Sequence, residues 1–242
     1  MDSSLNGIVR HLRGLYGRRN SIFLSSLMIR ITFLNIAARD VQTVVRRNVG
    51  KDIIAIALAR VFARVIAVAD NFKELDITRG MFKKYPINYS DGISISYCSY
   101  CGSNNCKCPN ERHSESKYLS RIGFVPSEIY SWKINHWCFH LEEIYGEKNK
   151  KKSIDSLVLR LYTEVSELMS LQALIPEINN TDEIEEQFSY EIADVIAWII
   201  AIANYLNIDL EKAVLDRYGE GCWKCMKNPC NCGHFDFKQM DF

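Results

Sequence analysis

The acidic side chains best placed to act together stand in two pairs. Glu164 and Glu167 are three residues apart, and Glu191 and Asp194 repeat that spacing after a gap of 23 residues. On an α-helix a three-residue step returns to the same face, so each pair would project its carboxylates together. Glu-x-x-Glu alone is common on solvated helices. The second pair is less ordinary: from Glu191 to Leu206 its two members are the only acids, set among Ile192, Ala193, Val195, Ile196, Ala197, Trp198, Ile199 and Ile200. Burying carboxylates in such a run is costly unless a cation compensates. Four carboxylates on two facing helices suit Mg²⁺, a hard cation that completes its octahedron with water and phosphate oxygens.

A second donor set is made of sulfur. Eight of the nine cysteines fall in two clusters with identical spacing, Cys98-x2-Cys101-x4-Cys106-x-Cys108 and Cys222-x2-Cys225-x4-Cys230-x-Cys232. Four thiols in one short loop make a closed tetrahedral Zn²⁺ site, so the expected role of each is structural. His113 and His234 follow the clusters and are secondary ligand candidates, and Cys138 stands alone as a packed small hydrophobe.

The matched clusters belong to a wider duplication. His11-Leu12-Arg13-Gly14-Leu15-Tyr16-Gly17-Arg18-Arg19-Asn20 recurs as His140-Leu141-Glu142-Glu143-Ile144-Tyr145-Gly146-Glu147-Lys148-Asn149, and Asn71-Phe72 through Tyr85 recurs as Asn204-Tyr205 through Tyr218. The units are expected at 1–125 and 126–242, with extra turn-rich residues between Tyr85 and Cys98 and a polar linker over 109–130. In this register Leu34, Ala37, Leu58 and Val61 take the places of Glu164, Glu167, Glu191 and Asp194. The first unit has therefore lost the acids and reads as a scaffold half.

The elements that must carry these side chains are helical. Ile154, Leu157, Val158, Leu161, Val165, Leu168, Met169 and Leu171 recur at three- and four-residue steps, which predicts a helix ending before Pro176. Asn180 with Glu183 forms a helix-starting box for a long helix over Ile184–Leu206. Asn207–Asp209 should turn, Asp209 should cap a short helix through Tyr218, and an opening helix over Ser131–Tyr145 should end at Gly146. Strand-like alternation is nearly absent. The expected fold is all-α: two tandem four-helix units packed on one another as a pseudodimer, each followed by a cysteine knuckle.

The order, gap and helical setting of Glu164-x-x-Glu167 and Glu191-x-x-Asp194, leading into an apolar helix and an Asn-Ile-Asp-Leu turn, resemble the MazG-like all-α nucleoside triphosphate pyrophosphohydrolases. The likeness covers about residues 137–232. It implies that Glu164, Glu167, Glu191 and Asp194 hold Mg²⁺ on a nucleoside triphosphate, with hydrolysis at the α–β linkage to a nucleoside monophosphate and pyrophosphate. Many members carry another acid directly before the first Glu, where this chain has Thr163. Members usually build their sites between subunits, so one working and one dead site are expected here, with further self-association open.

Charge is divided between the halves. Residues 1–130 hold 19 Lys/Arg against 10 Asp/Glu, and residues 131–242 hold 11 against 19. Arg30, Arg39, Arg46, Arg47, Arg60 and Arg64 are candidates to face the acidic half, and Arg60, Arg64, Lys212 and Arg217 are candidate phosphate contacts. Arg60 and Arg64 interrupt one apolar run and Asp194 another, so no membrane span is expected. The N-terminus lacks a secretory pattern, and a cytoplasmic location is expected. A rival function class is a non-catalytic zinc-knuckle protein that binds nucleic acid or senses nucleotides. The knuckles are poor in basic and aromatic residues, so a nucleic-acid partner is not expected.

Overall fold

Short polar side chains start most of the helices. Ser4, Ser26, Asp76, Ser153 and Asp209 each accept the backbone N–H three residues on, satisfying a donor that the first helical turn leaves orphaned. The computed structural model describes residues 2–73, 75–90, 93–108, 125–175 and 181–232. The helices are α1 (Leu5–Phe23), α2 (Leu27–Arg46), α3 (Lys51–Ala69), α4 (Ile77–Lys84), α5 (Ile134–Lys150), α6 (Ile154–Leu174), α7 (Thr181–Leu206) and α8 (Leu210–Tyr218). A 3₁₀ turn at Ser127–Ser131 precedes α5. Asp209 caps α8 and α6 ends at Leu174, as the sequence predicts. Asn180, His113, His234 and residues 109–124 lie outside the described residues.

Two expectations are corrected. Strands β1 (Ile87–Ser90) and β2 (Ile93–Ser96) pair antiparallel, with Ile87 opposite Ser96 and Ser90 opposite Ile93. Four residues are too few for alternation to stand out from noise. The opening helix of the second unit runs Ile134–Lys150, not Ser131–Tyr145, and Gly146 lies inside it. Gly146 does not stop the helix because its missing Cβ gives room to Glu142. A Cβ there would sit 2.5 Å from the Glu142 carboxylate, which turns back to pair with Lys150 at 2.9 Å.

The apolar stripe read on α6 is buried at Leu157, Val158, Leu161, Val165 and Leu168. By length and composition α7 would suffice to cross a bilayer. Here it is the centre of the bundle, packed against α3, α4, α5 and α6.

Contacts between the two repeats come in reciprocal pairs. α4 packs on α7, and its counterpart α8 packs on α3. His11 Nε2 donates to the Tyr218 carbonyl at 2.8 Å, and His140 Nε2 donates to the Tyr85 carbonyl at 2.9 Å. Tyr16 meets Tyr218 edge to face with centroids 5.9 Å apart, and Tyr145 meets Tyr85 in the same way at 6.0 Å. The Cys230 N–H donates to the Leu15 carbonyl, and the Cys106 N–H to the Ile144 carbonyl, both at 2.8 Å. Each knuckle is therefore docked on the first helix of the opposite repeat, which explains why His11 and His140 hold the same place in register.

The α4–α7 contact depends on Gly80. A Cβ at that position would stand 2.6 Å from the Ser189 carbonyl oxygen, a backbone atom that cannot swing aside. Gly80→Ala is expected to destabilise the chain by about 1–3 kcal/mol in urea unfolding, despite the roughly 1 kcal/mol that alanine contributes in a helix. An unchanged or raised midpoint would show that the two helices can separate freely.

Candidate functional site

Helical spacing brings the acids together as the sequence requires. Glu164 on α6 meets Glu191 and Asp194 on α7, and one oxygen from each lies within 4.8 Å of the others. Glu167 stands one turn beyond Glu164, outside that group of three, and approaches Glu191 within hydrogen-bonding reach. All four line one cavity of about 800 Å³.

Neighbours fix three of these carboxylate oxygens. The Trp198 indole N–H donates to Glu164 Oε1 at 3.1 Å. The Tyr85 hydroxyl donates to Asp194 Oδ1 at 2.6 Å, and Lys84 Nζ pairs with Asp194 Oδ2 at 2.5 Å. Glu191 Oε2 is buried and has no hydrogen-bond partner among the described residues. Burial, reinforced by Asp194, Glu167 and Glu191, pushes the Glu164 carboxyl up to about 8. Burial and Asp194 push Glu191 up to about 7. Burial opposes the charge on Lys84, but Asp194 outweighs it and raises the ammonium above its ordinary range. Crowded like charges, a single paired lysine and an orphaned buried oxygen are what a missing positive charge leaves behind. The oxygen-only donor set fits a hard divalent cation.

The cavity also has a basic side. Lys148, Lys152 and Arg160 line it, from α5, the α5–α6 junction and α6. Lys152 Nζ sits 5.2 Å over the Trp198 ring, so this indole separates a cation from Glu164. Burial and the neighbouring Lys148 and Arg160 lower the Lys152 ammonium below its ordinary range. Such a pair of walls suits a ligand that is anionic and metal-chelating at once. Asn204, also on the lining, is held by its donation to the Cys138 carbonyl at 2.9 Å.

The first repeat supplies part of this cavity. Lys84 and Tyr85 arrive at the end of α4, and Tyr100 comes from the first knuckle. None of the three was singled out in the sequence. The available signal was the reciprocal repeat itself, because a unit that docks across its partner must end its fourth helix at the partner's site.

Four sequence-predicted phosphate contacts are placed elsewhere, and none of them lines the cavity. Arg60 pairs with Asp40 at 3.3 Å, and Arg64 lies 5.3 Å over the Phe33 ring in the first repeat. Lys212 is exposed and pairs with Asp216 one turn on, while Arg217 stacks 4.7 Å over Trp223. Among the described residues, Arg13 and Arg30 pair with Asp70 and Arg39 and Arg60 with Asp40 in their own repeat, while Lys83–Glu186 and Lys84–Asp194 cross between repeats. An arginine inside an amphipathic helix satisfies the nearest acid first, and the acidic half offers its carboxylates at the end of α4. At the position equivalent to the acidic cluster, Leu34, Ala37, Leu58 and Val61 are fully packed, which closes that site to a cation.

Each set of four cysteines forms one cluster. Sulfurs within each set lie within 4.8 Å of one another, with Cys98–Cys108 and Cys222–Cys232 at 3.8 Å and Cys225–Cys230 at 4.0 Å. All eight thiols are free of disulfides. A tetrahedron with Zn–S near 2.3 Å has edges of about 3.8 Å, so both clusters fit zinc. Burial raises the thiols of Cys106, Cys108, Cys230 and Cys232, but backbone groups lower one prominent thiol in each loop. Backbone N–H groups of Asn231 and Lys227 aim at Cys225 and hold its thiol down at about 6. At Cys101 burial works the other way, but N–H groups of Lys107 and Ser103 bring it down to about 7. Each loop turns through a left-handed residue at one equivalent position, Gly102 in the first and Met226 in the second.

Comparison with known protein families, with characterised proteins and with solved structures finds no match to this chain.

Proposed function

We propose that the chain is a divalent-cation-dependent nucleoside triphosphate pyrophosphohydrolase that releases a nucleoside monophosphate and pyrophosphate. One observation supports this reading above the others: three carboxylates gathered within 4.8 Å in a cavity whose other lining includes Lys148, Lys152 and Arg160. The resemblance of the paired acidic motif to MazG-like all-α enzymes points the same way, and the reciprocal contacts between repeats favour a pseudodimer with one working site. Mg²⁺ is the cation proposed for Glu164, Glu191 and Asp194, with Glu167 beside them; when bound it supplies charge neutralisation for a polyphosphate and polarises water.

The chain's own residues do the rest. Tyr85 orients the Asp194 carboxylate through Oδ1, while Lys84 on Oδ2 balances its charge and would give way to the cation. Trp198 fixes Glu164 through its indole N–H and presents a ring face to Lys152. Lys152 and Arg160 neutralise and orient the phosphate tail. Both zinc sites hold their loops as structural ties. The proposed setting is cytoplasmic, with no membrane or nucleic-acid partner.

The test is pyrophosphate release from a panel of canonical and modified NTPs and dNTPs with Mg²⁺, comparing the wild type with Glu164→Gln/Asp194→Asn. Release that is lost in the double variant supports the reading. Metal-dependent triphosphate binding without release would make the chain a nucleotide sensor. Lys152→Ala and Arg160→Ala are each expected to raise KM about 10-fold or more, the cost of a charge-assisted phosphate contact. Mn²⁺ affinity measured without nucleotide should stay within about 2-fold, since neither side chain touches the acids. A KM equal to the wild type in both would remove them from the phosphate site.

A further inference from the structure

The two knuckles are alike in sequence and docking, yet their surroundings differ in one respect. The first borders the acidic cavity, where Tyr100, Cys106 and Cys108 form part of the lining, and the second belongs to the side where Leu34, Ala37, Leu58 and Val61 replace the acidic cluster. From the first cluster a short chain of side-chain contacts leads to the carboxylates. The Tyr145 hydroxyl donates to Cys98 Sγ at 3.7 Å. The Tyr145 ring meets the Tyr85 ring edge to face, with centroids 6.0 Å apart and planes at 86°. The Tyr85 hydroxyl donates to Asp194 Oδ1 at 2.6 Å. Backbone contacts tie the same loop to α5, through Cys106 N–H to the Ile144 carbonyl at 2.8 Å and Lys148 Nζ to the Cys108 carbonyl at 3.2 Å.

Each link has a physical reason to hold. A phenol hydroxyl turned away from water needs an acceptor, and a zinc-bound thiolate is a stronger one than a neutral thiol. Because a phenol O–H prefers the ring plane, a fixed acceptor favours one orientation of the Tyr145 ring, and the edge-to-face preference carries that bias to Tyr85. Tyr85 in turn decides which lone pairs Asp194 presents to the cavity. Groups that orient metal ligands without touching the metal typically account for about 10- to 100-fold in affinity. The equivalent ring pair on the other side, Tyr16 of the first repeat against Tyr218 of the second at 5.9 Å, stands beside Cys222. Its chain ends in the apolar site where Val61 replaces the aspartate, so nothing there is left to position.

We propose that the Cys98–Cys108 zinc site acts on the acidic cavity through Tyr145 and Tyr85 as positioning residues for Asp194, so that cation binding at the carboxylates depends on this zinc and not on the one at Cys222–Cys232. The inference rests on the reading that Glu164, Glu191 and Asp194 hold a divalent cation. It makes the first repeat a working part of the site and gives the two zinc ions different duties.

The test measures binding of Mn²⁺ alone to the zinc-loaded full chain by electron paramagnetic resonance. Matched variants are Tyr145→Phe against Tyr16→Phe, and Cys101→Ser/Cys108→Ser against Cys225→Ser/Cys232→Ser, with folding checked by circular dichroism and zinc content measured for each. Tyr145→Phe and the first-knuckle variant should weaken Mn²⁺ binding about 10-fold, and their counterparts should stay within about 2-fold of the wild type. Tyr145→Phe keeps all eight cysteines and the ring, so a loss with zinc content and circular dichroism unchanged is not assigned to unfolding. Equal effects from the two knuckles, or wild-type affinity in Tyr145→Phe, would overturn the coupling while leaving the cation site standing. A wild-type chain that binds no Mn²⁺ at the carboxylates would overturn the functional reading and this inference together.

Discussion

Glu191→Gln is expected to lower cation-dependent turnover by about 100-fold or more and, in the same protein without added divalent cation, to raise stability above neutral pH. Losing a group that merely orients a metal ligand costs about 10- to 100-fold, and losing a ligand should cost at least as much. The gain in stability has a separate cause. Glu191 Oε2 is buried with no hydrogen-bond partner, and Asp194 and Glu167 stand beside it. Its carboxyl is pushed up to about 7 in the folded chain, against roughly 4.3 when unfolded. Below the unfolded value both states are protonated and the group has no effect on stability. Between those two values the unfolded chain gives up the proton while the folded protein keeps it, so stability falls as pH rises from about 4.3 to 7 and the full penalty is present above 7. Glutamine removes that penalty. Because water reaches the cavity, the gain at pH 8.5 should be about 1–2 kcal/mol and should vanish near pH 4. Urea unfolding at both pH values, without a chelator that would strip zinc, reads it directly. A variant less stable than the wild type at pH 8.5 would contradict the crowded-carboxylate account.

Much of this geometry was legible in the residues. Three-residue spacing, a reliable property of helices, placed Glu164, Glu191 and Asp194 on facing sides of α6 and α7, where they meet. Spacing within the knuckles sufficed for the cysteine clusters, since all four donors are local in sequence. The register of the repeat exposed Leu34, Ala37, Leu58 and Val61 as replacements, and all four are buried. What escaped were contacts set by tertiary packing. Lys84 and Tyr85 lie more than a hundred residues from Asp194, and nothing local marks α4 as crossing to α7. Arg60 and Arg64 looked suited to phosphate because they interrupt an apolar run, but Asp40 and the Phe33 ring satisfy them nearer home. Lys148, Lys152 and Arg160 were overlooked because cations at a helix junction are commonplace, and only the shape of the cavity distinguishes them.

Lys84→Met should expose how the site manages its charge. The ion pair between Lys84 and Asp194 is mostly sheltered, with the two side chains 15% and 17% exposed. Removing one member of such a pair leaves the other charged and desolvated, which typically costs 3–5 kcal/mol for a fully buried pair. Tyr85 remains as a donor and some water enters, so a loss of about 2–3 kcal/mol at pH 7 without divalent cation is expected. The same cavity should then accept the missing charge from outside. Mg²⁺ present at about 100 times its dissociation constant contributes roughly 2.7 kcal/mol to any protein that binds it only when folded, which is enough to restore most of the loss. The wild type should gain less from the same addition, because Lys84 already answers part of the charge on Asp194 and competes with the cation. Urea unfolding of both proteins with and without Mg²⁺ gives four midpoints. A methionine variant as stable as the wild type without cation would mean that Asp194 is not held by this pair, and a deficit that Mg²⁺ leaves untouched would mean that the acids do not take up a cation. Rescue that is larger in the variant would place a lysine of the first repeat among the clustered acids of the second, where it stands in for the cation.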